Sequence, residues 1–286
     1  MIRINKTRIP NYILPSKQGR GWGWVLVLLW ALGTFPTHAQ ERYHSVMAGV
    51  GWGNVLDTYL SPYSYKGENV RLMRETQRDL QHFFIGNTPV RFQTLLDLDC
   101  SFLESLAKNV NEYAGGVRYS ASWQYPIQLS GPAFQLHAGP MLSGYAGCVY
   151  NERNGNNPAQ AKVDLMLDLT ATAQYQFRWL KRTMTARYQI AIPFVGLAFS
   201  PNYGQSYYEA FALGNYDHNV VAATFANAPS MRHLLTLDVP LSKRPNATTL
   251  RIGYSGNFMQ AKFNNLRYHS YTHAILIGFT QTFNAL

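Results

Sequence analysis

Charge is scarce in this chain of 286 residues: Asp, Glu, Lys and Arg make up only 14% of it, against about 25% in ordinary soluble domains. With 47% apolar residues, 14% aromatic residues and 19 Tyr, this composition excludes a disordered chain kept in solution by its charge. Cysteine is scarcer still. Cys100 and Cys148 are the only two, which excludes a disulfide scaffold and a Cys-x-x-Cys redox or metal motif. Beyond residue 40 no apolar run approaches the ~18 residues of a membrane-spanning helix. There is no Gly-x-Ser-x-Gly elbow and no His-Glu-x-x-His array. The remaining histidines, His44, His82, His137, His218, His233, His269 and His273, show no metal-ligand spacing. Neither a metal nor a cofactor is expected.

The formal charge of +10 looks strongly basic but is unevenly distributed. Residues 1–39 carry Arg3, Lys6, Arg8, Lys17 and Arg20 and no acid, which leaves 20 basic and 15 acidic side chains in the other 247 residues. With no basic cluster on a recognition fold, nucleic-acid binding is not expected. The leading basic residues precede an apolar run, Trp22–Gly33, too short to span a bilayer and suited to the h-region of a secretory signal peptide. Thr37-His38-Ala39 places small residues at −3 and −1, so cleavage is expected between Ala39 and Gln40. The expected organisation is a signal peptide over 1–39 and one domain over 40–286. An uncleaved anchor is the alternative.

What is abundant after residue 40 is alternation with period two, the mark of strands with unlike faces. In 161–179 the odd positions, from Ala161 through Val163, Leu165, Leu167 and Leu169 to Trp179, are apolar. The even positions, from Lys162 through Asp164 and Asp168 to Arg178, are almost all polar. Residues 90–102, 117–130, 231–241 and 271–283 repeat the pattern. At ~3.3 Å per residue the longest stretch spans ~60 Å, far beyond a usual strand of ~5–6 residues. A membrane barrel has use for such strands, with the apolar face toward lipid and the polar face toward the lumen. Trp123 with Tyr125, and Tyr175 with Phe177 and Trp179, suit an interfacial girdle.

Strands are expected at 43–53, 67–80, 90–104, 116–130, 133–150, 161–179, 183–198, 230–241, 248–261 and 270–284. That gives an antiparallel transmembrane β-barrel of about ten strands. A hairpin around Gly214-Asn215 would make twelve, and a secreted β-sandwich is the rival fold. Tight turns at Gly131-Pro132, Leu180–Arg182 and Lys243–Asn246 alternate with long polar stretches at 54–66, 105–115, 150–160, 199–229 and 262–269, as short periplasmic turns and long outer loops should. Arg74 and Arg78 break the alternation of the second strand. Pro126, Pro140, Pro193 and Pro240 fall inside strands, where proline removes a ladder donor, so bulges or strand ends must receive them. Arg91, Arg118, Arg178, Arg187, Arg232 and Arg251 are expected to point inward with Asp97, Asp99, Asp164, Asp168 and Asp238. Mixed signs in a narrow lumen imply an ion-paired plug rather than a selective channel.

Three patches carry a family likeness: Gly49–Pro62 followed by Tyr65-Lys-Gly67, Asn151–Ala159, and Phe199–Glu209. On them the chain resembles a family of uncharacterised outer-membrane β-barrel proteins from Bacteroidetes, catalogued as a domain of unknown function. The resemblance implies a barrel in the outer membrane and brings no activity or catalytic residue with it.

All three patches fall on expected outer loops, where polar and aromatic side chains on a rigid scaffold often carry function. Asp57, Tyr59, Asn151, Arg153, Asn154 and Asn157 are candidate contacts for a sugar or a lipopolysaccharide headgroup. Turn chemistry alone also accounts for the Asn, Gly and Pro content. Tyr203, Gln205, Tyr207, Tyr208 and Glu209 are candidates at the barrel mouth. Ser206 with His218 or His269 could form a nucleophile–base pair only if folding brings them within hydrogen-bond reach. Loop packing is the alternative for that stretch. Outer-membrane lipid, lipopolysaccharide and a glycan or small molecule are the expected partners. A non-enzymatic surface barrel, a membrane-embedded hydrolase and a small pore are the functions left open.

Overall fold

The computed structural model describes residues 41–85, 88–127, 133–242 and 248–284. The expected signal peptide and the turns at 131–132 and 243–246 lie outside the described residues. Among the described residues are eleven strands, β1 (Glu41–Asp57), β2 (Ser64–Ile85), β3 (Thr88–Glu104), β4 (Asn111–Ile127), β5 (Phe134–Asn151), β6 (Ala159–Trp179), β7 (Arg182–Phe199), β8 (Val220–Thr224), β9 (Ser230–Pro240), β10 (Thr249–Phe263) and β11 (Leu266–Asn284), and one short helix, α1 (Tyr207–Phe211). Every pairing is antiparallel. β1 through β7 follow one another, β7 continues to β9, and β11 returns to β1 from Glu41↔Asn284 to Asp57↔Tyr268. The result is a closed barrel of ten strands. β8 pairs only with the last residues of β7. The 199–229 connection therefore holds a helix and a five-residue strand instead of the extra spanning hairpin that twelve strands would need.

The observed strands extend past the expected ones at most ends, and the connections shrink accordingly. The connection expected as a long loop at 262–269 is reduced to a two-residue turn. Asn264 and Asn265 alone join β10 to β11, both with positive φ (49° and 62°). Asparagine tolerates the left-handed region, so two residues suffice for a hairpin whose twist matches its strands. Leu180 and Lys181 make the equivalent turn at the opposite rim (φ 49° and 59°).

The prolines sit where the ladder can spare a donor. Pro240 ends β9. Pro126 is the penultimate residue of β4. Pro140 lies where β4–β5 pairing is interrupted, between Ser122↔Met141 and Tyr125↔Ala138. Pro193 lies at the β6–β7 register shift, with Phe194 bulged beside it.

The alternation resolves as lipid side and lumen side. Leu165, Leu167 and Leu169 are exposed on the exterior, while Met166, Asp168 and Thr170 between them are buried inside. Val46, Val50, Leu72, Leu142, Leu197, Leu235, Ile252, Ile275 and Ile277 continue the exterior band around the wall. An apolar belt this extensive is unlike a soluble surface and matches a barrel facing lipid. Among the described residues no helix is long and apolar enough to cross a membrane. Aromatic side chains border the band at both rims. Phe102, Tyr113 and Tyr150 neighbour one another at the rim of long loops (6.1 and 6.5 Å). Phe92 with Trp123 (5.3 Å) and Tyr175 with Phe177 (6.0 Å) do so at the rim of short turns. Arg78 lays its guanidinium over Phe92 (5.0 Å). Cys100 and Cys148 are exterior thiols on either side of Gly115, two strands apart and beyond disulfide reach.

The lumen is filled in layers. At the rim of short turns a polar vestibule of about 350 Å³ is lined by Arg91, Gln135, Gln174, Arg187, Asp238 and Arg251. Behind its lining residues Arg187 and Arg251 lies the buried Glu75, bonded to both (2.6 and 2.7 Å). Above it Met47, Met73, Leu234, Ala274 and Leu276 form an apolar layer, with Leu95 against it. Next come the ion pairs Arg71–Asp97 (3.3 Å), Arg118–Asp164 (3.0 Å) and Arg232–Asp168. Arg71, Glu75, Gln93, Gln124 and Arg251 are almost wholly shielded from solvent, which makes the lumen a plug. Arg178, expected inside, is exposed at the end of β6, beyond the reach of the lumen network.

Candidate functional site

The three loop patches converge at the rim of long loops. Asp57 ends β1 and begins an Asx turn: its Oδ1 accepts the Tyr59 N–H (3.1 Å), and its carbonyl accepts the N–H groups of Leu60 and Ser61 (3.0 and 2.9 Å). The same carboxylate is buried and meets the Lys162 ammonium (2.9 Å). That ammonium also donates to Gln160 (2.9 Å) and lies 3.9 Å from the centre of the Tyr268 ring.

Asn151 repeats the device on the second patch. Its Oδ1 accepts the Arg153 N–H (3.0 Å), and its amide donates to the buried Glu112 carboxylate (2.7 Å). Asn154 caps the turn by accepting the N–H groups of Asn156 and Asn157 (3.3 and 3.0 Å), and it donates to the Leu60 carbonyl across to the first patch (3.3 Å).

The third patch is organised by Gln205. Its side chain accepts from the Asn202 N–H (2.9 Å) and from Asn219 (2.7 Å), and it donates to the Asn215 carbonyl (2.8 Å). Tyr59 donates its hydroxyl to the Gln205 carbonyl (2.9 Å) and sets its ring edge-on to Tyr207 (5.9 Å). Tyr207 accepts the Ala161 N–H (2.7 Å), tying α1 to β6. Burial pushes the Tyr207 phenol up to about 12, only partly offset by that N–H, so it stays neutral. Asp57, Tyr59, Asn151, Asn154, Gln205 and Tyr207 thus hold the loops together.

Ser206 is the N-cap of α1. Its hydroxyl accepts the Glu209 N–H (3.2 Å), and the Glu209 carboxylate accepts from the Ser206 N–H (2.7 Å) and hydroxyl (3.1 Å), which completes a capping box. His218 binds Asp217 (2.8 Å) in an exposed turn. His269 stacks on Tyr271 (4.7 Å) on the exterior. The hydroxyl that would serve as nucleophile is thus engaged by a carboxylate, and each histidine has its own separate neighbour.

A second group of candidates points outward. Tyr203 and Tyr208 are 74% and 67% exposed. Arg153 and Glu209 are exposed as well, and Asn157 is half-buried. Phe211, Leu213 and Tyr216, which sequence reasoning did not single out, stand exposed on the same excursion. Lys162, Glu112 and Tyr268 were also missed. Each is ordinary in its own stretch, and only the barrel brings it to Asp57 or Asn151.

Glu112 lies one rung beyond the outer aromatic belt. Burial raises its carboxyl to about 7, against the lowering effect of its Asn151 hydrogen bond. The fold therefore holds a proton that the unfolded chain releases from about pH 4.5 upward, so this residue's contribution to stability falls as pH rises from there to about 7. Glu112→Gln keeps an acceptor for Asn151. It is expected to flatten this part of the stability–pH curve and to leave the protein more stable than the parent above pH 7. Chemical denaturation at pH 5 and pH 8 reads the difference, and parallel curves for the two proteins would rule the account out.

Residues 27–286 match the family described as a protein of unknown function (DUF3316). No curated protein matches the chain. Solved structures similar to it include two outer-membrane proteins. The outer membrane protease OmpT from Escherichia coli has a TM-score of 0.47 at 10% identity, with 88% of this chain and 99% of that chain covered. The translocator domain of the autotransporter NalP from Neisseria meningitidis has a TM-score of 0.36 at 10% identity, with 90% and 94% covered.

Proposed function

We propose, for a chain that belongs to the DUF3316 family of proteins of unknown function, a plugged outer-membrane barrel whose long-loop rim faces the cell surface and binds glycan there without chemical turnover. The apolar belt with aromatic borders and the export-type leader support the location. Closed barrels and helices are the only structures that satisfy their backbone in lipid.

The observation that carries the binding role is the 199–229 excursion. Gln205, Asn219 and Tyr207 fix its backbone, and it displays Tyr203, Tyr208, Phe211 and Tyr216 to solvent. Phe211 packs against Phe199, Tyr207 and Tyr216 (6.1, 5.8 and 6.2 Å), yet all four displayed aromatics remain more than half exposed. On a rigid base they offer flat apolar faces to the C–H faces of sugar rings, while tyrosine hydroxyls and the Arg153 guanidinium offer hydrogen bonds. A lipopolysaccharide sugar or another envelope glycan has that chemistry.

The test is a glycan and lipopolysaccharide binding screen on folded protein in nanodiscs. The double variant Tyr203→Ala/Tyr208→Ala is expected to bind at least tenfold more weakly, a loss of about 1.4 kcal/mol, with an unchanged heat-modifiable gel shift. Absence of any glycan ligand, or equal binding by the double variant, would sink the reading.

A further inference from the structure

A second site lies on the outer wall of the barrel, where β10 and β11 rise toward their two-residue turn. Outward residues of the two strands face each other rung by rung: Ile252↔Ile277, Tyr254↔Ile275, Gly256↔His273, Phe258↔Tyr271, Gln260↔His269 and Lys262↔Arg267. The lower rungs are aliphatic, with Ile252, Ile275 and Ile277 exposed. The middle rungs carry rings. Phe258 stands 5.0 Å from His273 and 6.1 Å from Tyr271, and His269 stacks on Tyr271. The top rung is cationic, and Gln260, Lys262 and Arg267 are exposed. Phe258 and Lys262 are four residues apart, about 13 Å along a tilted strand. The two cations therefore stand beyond the ring level, at the height of lipid headgroups.

That top rung runs against the usual rule. Like charges directly opposite each other in a ladder destabilise the pair. Neither cation has a carboxylate within salt-bridge distance among the described residues. At the same rim Lys66 of β2 shows the ordinary arrangement, with Glu104 of β3 across from it. The backbone under the like-charged pair is held from both sides. The Lys262 N–H donates to the Asn227 carbonyl (2.8 Å), and the Arg267 N–H donates to Thr58 Oγ1 (2.7 Å). In the turn between them Asn264 donates to the carbonyls of Ser200 and His218 (3.1 and 2.9 Å). Two cations are thus fixed side by side above an aromatic and aliphatic column, with no protein anion to offset their repulsion.

We infer that this column seats a lipid of the surrounding leaflet whose headgroup bears a phosphate monoester, the chemistry of lipid A. A phosphate monoester carries about −1.5 to −2 charges at neutral pH and three strong acceptor oxygens. It can therefore bridge the Lys262 ammonium and the Arg267 guanidinium and offset both charges. A phosphodiester carries a single charge and offsets only one. Gln260 supplies an amide donor one rung below, and the acyl chains run down over Ile275, Ile277 and Ile252. The inference rests on the outward orientation of the long-loop rim and not on glycan binding by the 199–229 excursion.

The test measures lipid retention by native mass spectrometry on the folded protein in detergent micelles. Three probes are compared: lipid A with both phosphates, the same lipid with both phosphates removed, and phosphatidylglycerol, a phosphodiester. Lipid A with its phosphates is expected to bind at least tenfold more tightly than either of the others. Lys262→Gln/Arg267→Gln is expected to abolish that preference and keep the heat-modifiable gel shift. Lys262→Gln alone is expected to reduce it, should the double variant fail to fold. Tyr203→Ala/Tyr208→Ala is expected to retain lipid A as the parent does. Retention of the phosphate-free lipid or of phosphatidylglycerol at the level of lipid A, or above it, overturns the monoester. An undiminished preference in folded Lys262→Gln/Arg267→Gln or Lys262→Gln protein overturns the site. A preference lost in Tyr203→Ala/Tyr208→Ala overturns it as well, since the loops would then hold the lipid.

Discussion

Replacing Glu75 by leucine is expected to lower stability by about 3–5 kcal/mol, the usual penalty for leaving a buried charge without its partner. Glu75 is 0% exposed and holds two guanidinium groups, Arg187 through Oε1 and Arg251 through Oε2, while Gln77 and Gln93 also donate to Oε1 (2.5 Å each). The two arginines do not depend on it equally. Arg251 also binds Asp238 with Nε and Nη2 (2.6 Å each) and keeps a counter-charge. Arg187 has no second carboxylate in salt-bridge range among the described residues. A leucine at 75 therefore leaves Arg187 charged and buried, with the Gln189 side-chain oxygen (2.6 Å) but no counter-charge. The half-exposed pair Arg91–Asp79 (3.3 Å) is the natural control, because Asp79→Asn should cost less than 1 kcal/mol. Urea unfolding in detergent micelles reads both variants. The triple change Glu75→Leu/Arg187→Met/Arg251→Met removes the charges together and is expected to recover most of the loss. A Glu75→Leu protein no weaker than Asp79→Asn would show that the plug does not depend on this carboxylate.

How much of this was legible in the sequence differs from strand to strand, for a physical reason. β3, β4 and β6 cross lipid with an apolar residue at almost every outward position, so alternation alone assigns Leu96, Val117 and Leu167 outward and Asp97, Arg118 and Asp168 inward. β2 is different. Arg71, Met73 and Glu75 are buried inside while Arg74 is exposed outside between Val46 of β1 and Leu96 of β3, so charge appears on both faces and the period is blurred. Its place in the barrel is set by its neighbours' ladders, which no single stretch reveals. The same limit applies at the loop rim. Asp57, Asn151 and Asn154 were readable as polar loop residues, and each does form a turn. Their distant partners were not readable, because Tyr59 reaching Gln205 or Asp57 reaching Lys162 depends on which strands the closed barrel brings round to one side.

Ring closure itself rests on a residue with no side chain. Gly51→Val is expected to abolish the folded, heat-modifiable form. Gly51 faces the lumen on β1 opposite Ala274 of β11, the pair of strands that seals the barrel. A Cβ there would stand 1.6 Å from the His273 carbonyl oxygen and 2.6 Å from the Ala274 Cα. Both atoms are backbone, so no rotamer change can yield. Relief would require β1 and β11 to separate, which breaks the ladder hydrogen bonds along the seam and leaves their N–H and C=O groups unpaired in lipid, at several kcal/mol each. Gly49 repeats the contact, with a Cβ 2.0 Å from the Ile275 carbonyl oxygen, so the seam cannot escape by sliding its strain one pair along. Gly155→Ala is the matched control, since nothing lies within 4 Å of a Cβ at that loop position. Gel mobility with and without heating separates the outcomes: native mobility is expected for Gly155→Ala and only the unfolded band for Gly51→Val. A Gly51→Val protein with full heat modifiability would show that the seam can widen, and closure would then have to rest on the lumen ion pairs instead.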